Sequence, residues 1–337
     1  MRRLQILATA LLVSASGVRA DVPNVVVDIP PVFSLVSSVM QGVGTPKLLL
    51  RGNESPHNFA LRPSQRRDLG QADIIFWIGE GLTPWLEKAQ ASLTQTPISV
   101  ALGEQTGMVQ LSFREGAFFE NHDDHDGRGE VNGHTEHNRA ETHENAAAHD
   151  GKDHQDHAGH DHAGLDPHFW LDPENAIHWI YTIADILSQT DPENAGAYYA
   201  NAAKTKASLE LLNKNIAQQL APHRAERFLI VHDAFQYFEA RFGLAAQGAI
   251  SDGHAAPPSA ARILAIRKLM QDQKISCVFA EPGYNAKLLD NLISETSVRL
   301  KQLDPLGAGL PLDHTLYEAV LQNMADTMVA CFTNNEG

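Results

Sequence analysis

Only two cysteines, Cys277 and Cys331, occur in the 337 residues, so neither a cysteine-rich scaffold nor a C-x-x-C zinc site is available. There is no H-E-x-x-H pair, which removes the helix-borne metal site of the common zinc proteases. Basic side chains are scarce: 26 Lys and Arg stand against 41 Asp and Glu, a formal charge of −15, and this balance argues against nucleic acid as a partner. Beyond the N-terminal segment, no stretch approaches the roughly 20 apolar residues needed to cross a bilayer as a helix.

What is present is ordinary globular material, 43% hydrophobic and 20% charged, enough to bury a core. Residues 1–20 have the layout of a cleavable secretory signal: Arg2 and Arg3, an apolar run over 4–13, and the small-residue site Val18-Arg19-Ala20. An exported protein of two lobes is expected, with no cysteine after the signal to carry a lipid anchor. Two cysteines in an oxidising compartment, without metal spacing, predict a Cys277–Cys331 disulfide, the alternative being two buried thiols.

After residue 21 the chain alternates short aliphatic runs with longer helical patterns, which predicts an α/β protein with mostly parallel sheets. Strands are expected over 25–28, 47–50, 73–78 and 98–101, with helices over 33–41 and 64–72, the latter capped by Ser64. Asp172-Pro173 and Asp191-Pro192 each place a capping acid before a proline, so two helices should start there. The second runs over 192–221, about 44 Å at 1.5 Å per residue, long enough to link two lobes. Strands over 228–231, 277–280 and 298–303 and helices near 259–271, 286–296 and 315–327 form a second α/β lobe.

Between the lobes' regular elements lies a segment of a different kind. Residues 121–163 lack periodicity, have few apolar side chains and cannot offset the entropy of ordering, so a long disordered insertion is expected. Residues 120–164 hold twelve acids against Arg128, Arg139 and Lys152. The insertion also carries His122, His125, His134, His137, His143, His149, His154, His157, His160 and His162. It reads either as a solvated spacer or as a weak metal collector, binding through shifting His and acid pairs and taking Cu²⁺ and Ni²⁺ as well as Zn²⁺.

Three of the remaining histidines sit where the chain leaves or approaches regular structure: His57 in Ser55-Pro56-His57, His168 in Asp166-Pro167-His168, and His232 in Val231-His232-Asp233. Ligands of open α/β sheets bind at the carboxyl ends of strands, and three imidazoles from three loops suit a borderline cation such as Zn²⁺. Any one of them alone reads more often as an exposed or hydrogen-bonded loop residue. His178 reads as a helix residue, His223, His254 and His314 as loop residues, with His254 in a Gly- and Pro-rich loop near the cleft. Phe169 and Trp170 read as core packing.

Several segments together resemble the metal-binding, cluster A-I type solute-binding proteins of ABC importers. They are Gly52-Asn53-Glu54-Ser55-Pro56-His57, Leu61-Arg62-Pro63-Ser64, Asp166 to Pro173, Val231-His232-Asp233, Phe279-Ala280-Glu281-Pro282 and Leu303-Asp304-Pro305-Leu306-Gly307. The resemblance implies two (β/α)4 lobes joined by a long rigid helix, with a metal site in the cleft. It implies zinc, because an acidic His-rich insertion precedes the second metal histidine and His232 stands where manganese members usually carry Glu. Some zinc members place a Glu before the first ligand, where this chain has Pro56. The fourth ligand is therefore expected from Asp304, directly or through water. Glu281 is expected to fix loops by hydrogen bonding, and Asp166 and Asp233 to support the histidines or cap helices.

The domain plan is then signal 1–20, N-terminal lobe 21–191, linking helix 192–221 and C-terminal lobe 222–337. The implied activity is zinc capture by a periplasmic monomer for an inner-membrane ABC permease, with no catalysis. The competing readings are a zinc hydrolase built on three His and a water, a carrier of manganese or another divalent ion, and a surface adhesin or storage protein.

Overall fold

In a computed structural model the chain is described over residues 22–51, 54–114, 119, 164–251, 258–284, 286–294 and 296–333. Residues 1–20, where a signal is expected, the histidines of the insertion and His254 lie outside the described residues.

Strands β1 (Val25–Val27), β2 (Lys47–Leu48), β3 (Ile74–Trp77) and β4 (Ile98–Ala101) form a parallel sheet in the order β2-β1-β3-β4. Its core strands are continuous aliphatic runs, Val25 to Val27 and Ile74 to Trp77, as expected for strands covered on both faces. The second lobe repeats the plan with β5 (Phe228–His232), β6 (Ala249–Ser251), β7 (Cys277–Ala280) and β8 (Arg299–Gln302), again parallel, in the order β6-β5-β7-β8. Two (β/α)4-type lobes therefore stand as the resemblance implied. The short strand β6 and the helices α3 (Pro84–Gln90) and α6 (Gln236–Phe242) are additions to the elements expected from the sequence.

Prolines set several helix starts more strictly than apolar periodicity does. Helix α1 spans Pro30–Val39, three residues earlier than expected, because Pro30 and Pro31 occupy its first positions, where a missing N–H costs nothing. Helix α2 spans Pro63–Gly70, so Ser64 lies inside it and is not the cap; Gln65 Oε1 instead accepts from Arg62 N at 2.7 Å. Helix α4 (Pro173–Thr190) does begin behind Asp172, whose carboxylate accepts from Glu174 N at 2.9 Å.

The linking helix is shorter than expected. Residues 192–194 form a 3-10 turn, helix α5 runs over Ala195–Leu220, and residues 221–223 form a second 3-10 turn. Its 26 residues give about 39 Å, still enough to run along both lobes. Tyr198, Ala202, Leu209, Leu212, Ile216 and Leu220 recur at helical spacing and are buried, against α1, α4 and the C-terminal helix α9 (Leu316–Phe332). Helices α7 (Ala260–Asp272) and α8 (Ala286–Ile293) cover the far side of the second sheet.

Contacts between the lobes are numerous and directional. Arg241 donates twice to Asp172, at 2.6 Å each, and Tyr317 N donates to Ser34 Oγ at 3.0 Å. Trp170 Nε1 donates to Pro305 O, and Tyr317 Oη to Trp170 O. The Cys277–Cys331 disulfide ties β7 to α9. Phe169 and Trp170 are buried core residues, and Trp170 also forms part of the cleft wall.

Candidate metal centre

Each strand order reverses once, between β1 and β3 and between β5 and β7, and at such a switch point the loops leave in opposite directions and open a crevice. In the second lobe His232 is the last residue of β5, and Glu281 follows directly on β7. The parallel register sets Ile230 against Phe279, so two residues on, His232 meets Glu281. The Glu281 carboxylate lies 3.0 Å from His232 Nδ1.

His168 comes from the segment preceding the 3-10 turn Phe169–Leu171. Its ring Nδ1 lies 2.6 Å from Asp166 Oδ1, which also accepts from His168 N at 3.0 Å. His57 comes from the loop after β2. That loop is braced by the Glu54–Arg62 ion pair and by Gln65 Nε2 donating to Leu49 O. Trp85 Nε1 donates to Pro56 O at 2.7 Å, which fixes the residue before His57.

These three loops converge. Ring nitrogens of His57, His168 and His232 all lie within 4.8 Å of one another, with ring centroids 5.1 to 5.6 Å apart. His168 and His232 are 2% and 3% exposed, while His57 is half-buried. With Nδ1 of His168 and His232 facing carboxylates, Nε2 is left to face a cation, the usual carboxylate–imidazole–metal arrangement. The cleft around them is about 240 Å³ and is also lined by Trp170, Tyr284 and Asp304.

The carboxylates around the cleft hold different partners, and Asp166 supports a histidine as expected. Asp304 stands at the cleft wall, but Oδ1 accepts from Leu306 N and Gly307 N and Oδ2 from Ala308 N, at 2.7 to 2.9 Å. It is not among the described donors that cluster with the histidines, because its oxygens are committed to the turn at 305–308. Asp233 turns away to Arg114, whereas Asp166 and Glu281 are the acids that hold imidazoles. Burial opposes the Glu281 charge, yet the imidazoles of His232, His168 and His57 outweigh it and hold the carboxyl below its ordinary value. Burial pushes Asp166 up to about 7 despite the His168 backbone N–H.

Of the other histidines, His178 is exposed on α4, His223 packs its ring near Phe332, and His314 faces Gln41 Nε2. None of them joins the cluster. From sequence, Glu281 carries only a general loop-fixing expectation and Arg114 carries none. Pairing β5 with β7 was the signal for the first. The second had none, because its partners are 119 and 125 residues distant.

Two parallel-sheet lobes, a helix along their back and three convergent imidazoles that could hold a metal ion in the crevice give the layout of a two-lobed binding protein. The family of the zinc-uptake complex component A, ZnuA, described as periplasmic, matches residues 25–331. High-affinity zinc uptake system proteins ZnuA are 40% identical over 329 residues in Brucella suis and 42% identical over 327 residues in Paracoccus denitrificans, each match covering 97% of both chains. A crystal structure of ZnuA superposes with a TM-score of 0.69 at 24% identity, covering 91% of this chain and 99% of that one. This chain belongs to the ZnuA family.

Proposed function

We propose that this protein captures one Zn²⁺ in the cleft between its lobes, outside the cytoplasm, and delivers it to an ABC-type importer of the inner membrane. The observation that carries this reading is the meeting of His57, His168 and His232, three nitrogen donors from three loops, two of them backed by a carboxylate. Such a set suits zinc, with ligand distances of about 2.0 to 2.1 Å, whereas Mn²⁺ favours oxygen donors. The relatives named for high-affinity zinc uptake support it, as does a fold shared with a zinc-bound ZnuA deletion mutant, matched at a TM-score of 0.69.

The fourth position is assigned to water. Asp304 contributes through that water rather than directly: Oδ1 already accepts two backbone N–H groups, while Oδ2 accepts one and keeps a lone pair for a further donor. The cleft acts on its cargo by binding alone. Residues 1–20 serve as the export signal, 21–191 and 222–337 as the lobes and 192–221 as their link, in a monomeric periplasmic protein. The ten histidines of the insertion add weaker metal binding.

Calorimetric titration of metal-free protein tests the reading. One tight zinc is expected, and His57→Ala, His168→Ala and His232→Ala should each weaken it by about tenfold or more, with His178→Ala unchanged. Wild-type affinity in any of the three would remove that residue from the site.

A further inference from the structure

We infer that Arg114 is a positioning residue for the zinc site: it joins the two lobes beside the cleft, sets the His232 turn against His168, and thereby slows metal release. The inference rests on the reading of the histidine cluster as the zinc site.

Arg114 belongs to the segment that follows β4 in the first lobe, yet its guanidinium ends among residues of the second. It forks onto two buried carboxylates. Nε lies 3.1 and 3.2 Å from the Asp233 oxygens, which Nη2 also contacts, and Nη1 and Nη2 reach Glu239 at 2.8 and 3.0 Å. Asp233 and Glu239 are 4% and 3% exposed. Burial acts against the Arg114 charge, and the attraction of Glu239 and Asp233 together outweighs it. The Phe119 ring covers the guanidinium at 3.8 Å. A rigid planar fork of this kind holds both acids at once, which a lysine ammonium on a flexible stem does not.

The geometry on either side of Arg114 leads to the metal donors. Asp233 is the residue after His232, in a turn closed by Ala234 N donating to His232 O at 2.8 Å, so an anchored Asp233 leaves the His232 backbone little freedom. In the other direction, Ser112 bridges Leu165, Phe113 N donates to Gly164 O, and Asp166 N donates to Leu111 O, both at 2.8 Å. Asp166 is the acid that holds His168. Tyr237 Oη, on α6 of the second lobe, accepts from Leu111 N and donates to Asp166 O. The strap at 111–114 therefore ties the carrier of His168 to the turn that bears His232, and Arg114 is its charged fastening.

Arg114→Lys keeps the charge and loses the fork. Zinc release, read by stopped-flow competition with a chelator, should quicken by about tenfold or more. The d–d absorption of the Co²⁺-loaded protein should shift, which a change in global stability alone would not produce. Wild-type release and a wild-type cobalt spectrum in a folded Arg114→Lys protein would overturn the proposal. If that variant does not fold, Asp233→Asn decides. It keeps the Arg114–Glu239 pair and removes the anionic acceptor beside His232, should accelerate release and shift the same bands, and unchanged values of both would overturn the proposal. His232→Ala serves as the control on the underlying reading. If it binds zinc as the wild type does, the site assignment fails and the proposal with it, whereas an impaired His232→Ala beside an unaffected Arg114→Lys overturns the Arg114 role alone.

Discussion

At the scale of single residues, Glu281 and Asp304 separate by what their oxygens already hold. Glu281 faces Nδ1 of His232 and orients the ring, so Glu281→Gln should weaken zinc binding by about 10- to 100-fold, read by competition with a chromogenic chelator. Asp304 holds three backbone N–H groups of its own turn. Asp304→Asn removes part of that set and should cost about 1 to 3 kcal/mol of stability by urea denaturation, with a much smaller effect on zinc affinity. A larger loss of affinity in Asp304→Asn than in Glu281→Gln would reverse the two roles.

Asp28, at the end of β1, gives a pH signature. It is fully buried and accepts from Ile29 N and Ile78 N, both at 2.8 Å, and burial still pushes it from 3.8 up to about 7. Between those two values the native state keeps a proton that the unfolded chain has released. This contribution to stability is therefore complete below about pH 4, declines as pH rises, and is gone above about 7. Urea midpoints of the metal-free protein measured at about pH 5 and pH 8 should differ, and Asp28→Asn should shrink that difference. An unaltered difference would show that Asp28 is ionised throughout.

At the scale of elements, the disulfide and the helix pair α5 and α9 stiffen the second lobe. Cys277 and Cys331 are separated by 54 residues, and closing such a loop contributes about 4 kcal/mol in the chain-entropy account. The Cys277→Ser/Cys331→Ser protein should lose about that much stability by denaturant titration while retaining its tight zinc, because Cys277 opens β7 at the end opposite to the one that leads into Glu281. Strand order matters at this scale too. His232 and Glu281 are 49 residues apart and meet only because β5 and β7 are neighbours at the switch point.

At the scale of the whole molecule, the lobes are pinned by Arg241 to Asp172, by Tyr317 to Ser34 and Trp170, and by α5 along the back. The residues that make these contacts all lie outside 121–163. Deleting 121–163 should therefore leave a folded protein with one tight zinc and remove only weaker additional binding, as counted by calorimetry. Loss of the tight site on deletion would make the insertion a donor of ligands.

The chain itself determined the lobes and the imidazoles, because those depend on local order: aliphatic runs for buried parallel strands, a long apolar helical stripe, and histidines placed at the ends of strands and loops. It also placed the disulfide correctly, from cysteine count and compartment. Helix starts were read less well. Proline stereochemistry moved α1 and α2 forward, and the 3-10 turn at 192–194 took the first residues of the linking helix. Tertiary structure alone decided which acid serves which purpose. Asp304, Glu281, Asp233 and Asp166 are alike as carboxylates in loops. What separates them is strand register, the backbone amides a turn presents, and a guanidinium arriving from the other lobe, all fixed by contacts between residues far apart in sequence.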